Sequence, residues 1–177
     1  MSDLFEYGVH TSEADYWIHV CPGAGIFYYL RSIASERGEK GLLGARRQAK
    51  SANGKVTGEG YLVPIAGTPW IAEWELPARI WPTSFDWTKA TDRATGMAAE
   101  GLIKYCLSLH EFPVGRRVEW VIGLREQFGG KDAIVSPPVQ LKIEVKCDRP
   151  AERTGNMFIQ TAEKHHQTSG ARLAGAA

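Results

Sequence analysis

Residues 141–146 read Leu141-Lys142-Ile143-Glu144-Val145-Lys146, in which apolar and charged side chains alternate. A period of two is that of a β-strand with two unlike faces. The alternation predicts that Ile143 and Val145 face a core, while Glu144 and Lys146 share the opposite face. The segment is therefore expected to present an acid and a base side by side in a sheet.

A second acid, Asp132, precedes this strand and follows a Gly129-Gly130 turn. Residues 132–135 are predicted to form the neighbouring strand, which would place Asp132 and Glu144 on one hairpin. Carboxylate oxygens are the ligands that Mg²⁺ prefers, and phosphodiester hydrolysis needs such a cation to neutralise the phosphate and activate water. Lys146 could then position the attacking water or stabilise charge in the transition state. Taken alone, the spacing is more typical of the solvated face of an edge strand, but both interpretations stay open at this point.

The rest of the chain predicts further short strands and one long helix. Residues 92–109 have a helical apolar arc, with Asp92 as the expected N-cap and Glu100 on the border of the arc. A shorter helix is expected over 30–37. Strands are expected at 16–21, 26–30, 61–65, 70–74, 113–122 and 157–161, the first two forming a hairpin through 22–25. Residues 38–60 are predicted to be a basic loop, and 77–91 a proline-broken connection.

Composition favours one soluble globular domain. The chain has 177 residues, of which 44% are hydrophobic and 23% charged, with a net charge of +1. We found no apolar run long enough to span a bilayer and no export signal at the N-terminus, so no membrane partner is expected. The odd number of cysteines, three, lacks zinc-ligand spacing and favours neither a disulfide framework nor a structural zinc site. We therefore expect a cytoplasmic location.

Several segments, taken together, resemble the PD-(D/E)XK nuclease superfamily. The matching segments are Gly130-Lys131-Asp132, Ile143-Glu144-Val145-Lys146-Cys147-Asp148 and Arg153-Thr154-Gly155-Asn156-Met157-Phe158-Ile159-Gln160. The last of these is similar to the segment that follows the catalytic strand in a bacterial and phage branch. The helix with Glu100 is similar to the first helix of these enzymes, in which an acid often completes the metal site.

Two further matches stand out of order. Residues 11–20, with Ala14-Asp15-Tyr16-Trp17, and residues 26–30 resemble pieces that follow the Thr-Gly-Asn strand in that branch, yet here they are N-terminal. The resemblance therefore implies a circularly permuted chain. Chain ends often lie close together on a domain surface, which makes such a rearrangement physically reasonable.

The resemblance implies an α/β, restriction-endonuclease-like fold, with a mixed central β-sheet flanked by helices. Residues 1–177 would be one nuclease domain, with 1–76 as the second half of the fold, 77–91 as the new connection, 92–163 as the catalytic half and 164–177 as a tail. The implied activity is that of a Mg²⁺-dependent endodeoxyribonuclease, with Mn²⁺ as a substitute. Its role would be homing, restriction-like cleavage or junction resolution, and cutting of both strands would favour a homodimer.

The implied site contains four residues. Asp132, Glu144 and Glu100 would bind the metal, and Lys146 would complete the catalytic set. Two departures from the branch weaken the match: Lys131 stands where proline is expected, and Gln160 stands where an acid is expected, with Glu163 as a weak substitute. The alternative is a catalytically inactive DNA-binding protein of the same fold.

Basic residues suggest where DNA would bind. Arg46, Arg47 and Lys50 lie in the predicted loop, where they would bind a phosphate backbone, although a solvated loop explains them equally well. Arg149 and Arg153 flank the predicted site and are better placed. A third interpretation is a protein-interaction module that uses exposed tryptophans, and the burial of these side chains discriminates it: Trp70, Trp74, Trp81 and Trp87.

Overall fold

The computed structural model describes residues 8–50, 53–109, 112, 117–120, 133–136 and 141–163. Within them, the β-strands are Tyr16–Cys21 (β1), Gly25–Leu30 (β2), Ala45–Lys50 (β3), Val56–Pro64 (β4), Ala72–Glu73 (β5), Arg117–Trp120 (β6), Ala133–Ser136 (β7), Leu141–Cys147 (β8) and Asn156–Glu163 (β9). The helices are Arg31–Glu39 (α1), Asp92–Leu109 (α2) and Ala151–Thr154 (α3), with a 3-10 turn at Ala78–Ile80.

A six-stranded mixed sheet forms the centre of the fold, in the order β5-β2-β1-β8-β7-β6. β1 and β8 are parallel, and the other neighbouring pairs are antiparallel. The β1–β8 register pairs Trp17 with Glu144 and His19 with Lys146. A strand from the N-terminal part of the chain therefore lies beside the strand that carries the predicted site.

Two cores lie on opposite faces of this sheet. The core on the helix side contains Ile143, Val145 and the apolar face of α2. The core on the other side packs Trp17 and Tyr29 against Met157 and Ile159 of a second sheet, ordered β3-β4-β9. The fold is thus mixed α/β as expected, but a second sheet, rather than helices alone, covers one face of the central sheet.

The strongly patterned elements match the prediction. The β1–β2 hairpin, α2 and β8 lie where the periodicity places them. One detail was wrong: the N-cap of α2 is Thr91, whose Oγ1 accepts the N–H of Ala94 at 3.2 Å. Asp92 is the first helical residue, and its carboxylate pairs instead with Arg149 at 2.5 Å.

The prediction of a loop over residues 38–60 was wrong, because β3 and the first part of β4 lie there. β3 is mostly exposed, so it lacks the apolar alternation by which a strand is recognised. Gly60 lies within β4 for a steric reason. A Cβ at this position would lie 2.3 Å from the backbone oxygen of Ile159 on β9, so only glycine permits this approach of the strands.

The tryptophan-rich segment packs against the core on the helix side. Trp74 is 7% exposed, and Trp81 and Trp87 pack against the same core as Ile80. Trp70 packs on the opposite core. This burial removes the main support for an interaction module built on exposed tryptophans.

None of the described helices is both long and apolar enough to cross a bilayer.

Candidate active site around Glu144 and Lys146

An ion pair between neighbours on one face of β8 forms the centre of the site. Lys146 Nζ lies 2.6 Å from Glu144 Oε1. Glu144 is only 8% exposed, and its second oxygen, Oε2, is buried without a hydrogen-bond partner among the described residues. Buried carboxylate oxygens are normally hydrogen-bonded or bound to a cation, so this atom has unused capacity to bind a ligand.

Trp17 on β1 supports the lysine. Lys146 Nζ lies 5.2 Å from the centroid of the Trp17 ring, within cation–π range. The ring is fully buried, and its Nε1–H donates to Ser12 Oγ at 3.2 Å. Because Trp17 pairs with Glu144 across the parallel strands, the indole has a set position next to the ion pair.

His19 is a site residue that the sequence analysis missed. It is 1% exposed, and its Nε2 lies 2.9 Å from Tyr29 Oη. Its Nδ1 is buried, with no hydrogen-bond partner in the part of the chain that the structure describes. Burial, assisted by the charge of Lys146, lowers the pKa of His19 to about 3. The imidazole is therefore neutral near pH 7. Its spacing along β1 shows that it shares a face with Trp17, but only the β1–β8 pairing places it beside Lys146.

Glu100 brings a second carboxylate within electrostatic reach. Partial burial raises the pKa of Glu100, the negative charge of Glu144 raises it further, and Lys146 opposes the rise. Glu100 is therefore within electrostatic range of both Glu144 and Lys146. Asp132, the remaining member of the predicted set, lies outside the described residues.

The two described carboxylates suit a hard cation, because Glu144 offers an unpartnered oxygen and Glu100 a carboxylate nearby. Within the described part of the chain, no three His, Cys, Asp or Glu side chains come together as a metal site. A complete set would therefore need a further ligand, for which Asp132 is the predicted residue.

Lys146 lines a cleft of about 830 Å³ between the start of α2 and the second sheet. β3 contributes Arg47 and Lys50 to the lining, and β9 contributes Phe158 and Gln160. The cleft thus brings Lys146 together with three of the basic residues predicted to bind DNA, Arg47, Lys50 and Arg149. It also places the amide of Gln160, where an acid was expected, in the same cavity.

The other predicted DNA-binding residues have different surroundings. Arg149 lines the cleft, but its guanidinium donates to the carbonyl oxygens of Trp87 and Ala90 and pairs with Asp92. Arg46 pairs with Glu59 at 2.5 Å. Arg153 is exposed on α3 and is not among the residues that line the cleft.

Two aspartates have structural roles. Asp15 accepts the backbone N–H of Lys142 at 2.8 Å, which joins the start of β1 to β8. Asp148, which the sequence analysis did not single out, is 7% exposed and accepts the N–H of Phe158 at 2.6 Å. Burial raises the pKa of Asp148, and the hydrogen bond from Phe158 opposes this rise. Asp148 therefore ties β9 to the end of β8 beside the cleft.

Comparison with known proteins gives no match. No protein-family model, curated protein or solved structure matches the chain.

Proposed function

We propose that the protein is a Mg²⁺-dependent endodeoxyribonuclease. Glu144, Glu100 and the predicted ligand Asp132 would hold the metal, and Lys146 would act beside it. The observation that carries the proposal is the unpartnered, buried Oε2 of Glu144 next to the Lys146 ammonium group. Lys146 compensates one oxygen of this desolvated carboxylate, and a bound cation would compensate the other.

The chemistry can be assigned to individual groups. Bound Mg²⁺ would neutralise the scissile phosphate and lower the pKa of a water molecule. Lys146 is held by Glu144 and by the Trp17 ring, and its side chain remains 32% exposed. Its ammonium group can therefore donate a hydrogen bond to a phosphate oxygen or to the attacking water without leaving its position.

The strand order supports a permuted restriction-endonuclease-like fold. α2 precedes the antiparallel strands β6, β7 and β8, and the parallel neighbour of β8 is the N-terminal strand β1. The N–H of Val9 donates to the oxygen of Gln160 at 2.8 Å, which joins the segment before β1 to β9. In an unpermuted chain the β9 segment would lead into β1, so this proximity is what the permutation requires.

A second candidate function is DNA binding without hydrolysis. It is favoured by Gln160, whose neutral amide lines the cleft where the family resemblance leads one to expect a carboxylate. An amide oxygen is a weaker ligand for Mg²⁺ than a carboxylate, since it lacks the negative charge. This candidate predicts retained DNA affinity with no metal-dependent cleavage.

The deciding experiment is cleavage of plasmid and branched DNA with Mg²⁺, with Mn²⁺ or with EDTA. Wild type is compared with Glu144→Gln and Lys146→Ala. Glu36→Gln and Lys40→Ala are matched controls, because Glu36 and Lys40 form an exposed ion pair on α1 and its C-terminus.

We expect metal-dependent cleavage by wild type and by both controls, and a loss of about 100-fold or more in each site variant. Folded wild type that binds DNA but cuts no substrate would favour the second candidate. Cleavage that survives both site substitutions would refute the proposed site. Cutting of both strands would call for two copies of the chain, which analytical ultracentrifugation with DNA would detect.

A further inference from the structure

We propose that the cleft beside Lys146 takes single-stranded DNA, as a free end or an unpaired flap, rather than the interior of an intact duplex. The inference rests on the proposed function only for the hydrolytic step. The binding preference follows from the shape of the cleft, its charge and one aromatic ring.

Lys146 is the member of the proposed site that lines the cleft, whereas Glu144 is buried behind it and is not a lining residue. Glu144 is 8% exposed and Lys146 lines a cleft of about 830 Å³. This volume lies within the range that encloses a drug-sized ligand, so a few linked nucleotides fit it. A duplex is much wider and keeps its bases stacked inside. One separated strand can bring a phosphate to Lys146 with less rearrangement.

The charge in the cleft suits a phosphate backbone. Among the described residues, the cationic ones that line it are Arg47, Lys50, Lys146 and Arg149. The acidic ones are Asp92 and Asp148. Asp92 is already paired with Arg149, and Asp148 is buried against the backbone of Phe158. Lys146 is itself paired with Glu144, and Arg149 with Asp92. Among the described lining residues, the excess positive charge is therefore that of Arg47 and Lys50 on β3, which favours a polyanion that follows the groove.

Phe158 supplies a surface on which a base can stack. Its ring lines the cleft and is partly exposed. Two features set its position: Asp148 accepts its backbone N–H at 2.6 Å, and its Cζ lies 2.8 Å from where a Cβ of Gly60 would stand. The ring thus packs over the glycine backbone. Aromatic stacking combined with a cationic groove is the usual way to bind single strands, whereas the bases of a duplex are not available to a ring.

The test measures binding without cleavage. Fluorescence anisotropy in EDTA at constant salt compares a labelled twelve-nucleotide oligothymidylate with the same strand annealed to oligodeoxyadenylate. The variants are Phe158→Ala, Phe158→Trp as the conservative replacement, and Phe85→Ala as a control aromatic residue that does not line this cleft. Circular dichroism and thermal unfolding establish that each variant is folded.

We expect wild type to bind the single strand at least tenfold more tightly than the duplex. Phe158→Ala should weaken single-strand binding by about tenfold and have little effect on duplex binding. Phe158→Trp should bind the single strand as tightly as wild type, because it keeps an aromatic ring. Equal or tighter duplex binding, or a Phe158→Ala variant with wild-type affinity for the single strand, would overturn the inference. Because the assay contains no metal, a protein that binds single strands but never cuts DNA would refute the nuclease and leave this inference standing.

Discussion

Lys146 Nζ lies 2.6 Å from Oε1 of Glu144, two positions earlier on the same strand, and the indole of Trp17 packs beside the ammonium group. The acid is almost fully buried, whereas the side chain of the base is 32% exposed. The lysine can therefore reach water when its partner is removed, but the glutamate cannot. This asymmetry has a measurable consequence for stability.

Replacement of Lys146 by methionine should destabilise the fold more than replacement of Glu144 by glutamine. Lys146→Met leaves a buried carboxylate oxygen without its partner, which should lower the free energy of unfolding by about 1–3 kcal/mol. The double variant should recover part of this loss, since it has no buried charge. Urea denaturation of the four proteins at pH 7 gives the coupling free energy. A coupling free energy near zero would show that the ion pair contributes nothing.

His19 should make the fold sensitive to acid. Its pKa is about 3 in the folded protein and about 6.5 in the unfolded chain. Well above pH 6.5 both states are neutral at this residue, so it adds no pH dependence there. As the pH falls from 6.5 towards 3, only the unfolded state takes up the proton, and stability should fall by up to about 1.4 kcal/mol per pH unit.

The measurement is urea denaturation between pH 7 and pH 4.5 for wild type and His19→Gln. Glutamine cannot titrate but can still form a hydrogen bond with Tyr29. The variant should lose stability more slowly as the pH falls. Parallel pH profiles for the two proteins would contradict the assignment of a neutral, buried imidazole.

Glu100 should respond to the charge on Glu144, although the two lie on different elements. Burial is the largest cause of the raised pKa of Glu100, and Glu144 is the second. Glu144→Gln should therefore lower the pKa of Glu100 towards its ordinary value. Carboxyl-carbon NMR titration measures this directly, with Glu36→Gln as the control. An unchanged Glu100 pKa in Glu144→Gln would show that the charge of Glu144 does not act on Glu100.

Arg149 should contribute mainly to stability. Its ion pair with Asp92 adds little to the stability of the fold, because the Asp92 side chain is 92% exposed. Its hydrogen bonds to the carbonyl oxygens of Trp87 and Ala90, in contrast, hold the 77–91 connection against the end of β8. Arg149→Ala should cost about 1–3 kcal/mol, whereas Arg153→Ala should stay within about 0.5 kcal/mol. Thermal and urea unfolding compare the two. Equal effects would refute this role for Arg149.

Local periodicity was sufficient to predict the elements that carry the site. The alternation in 141–146 predicts both the strand and the shared face of Glu144 and Lys146, and the apolar arc of 92–109 predicts α2. Both patterns are strong because one face of each element is buried. β3 was missed because it is mostly exposed, and its pairing with β4 depends on the backbone and on the close approach at Gly60.

By itself, the sequence determined which side chains share a face of β8 and of α2, since that depends only on the repeat of a strand or a helix. Only the tertiary structure decided what stands opposite them. The parallel pairing of β1 with β8 joins segments more than 120 residues apart, and it places Trp17 and His19 beside Glu144 and Lys146. The packing of β3, β4 and β9 then encloses the cleft. Which strands pair depends on contacts between segments far apart in the chain, so the local sequence pattern of one strand does not predict its neighbours.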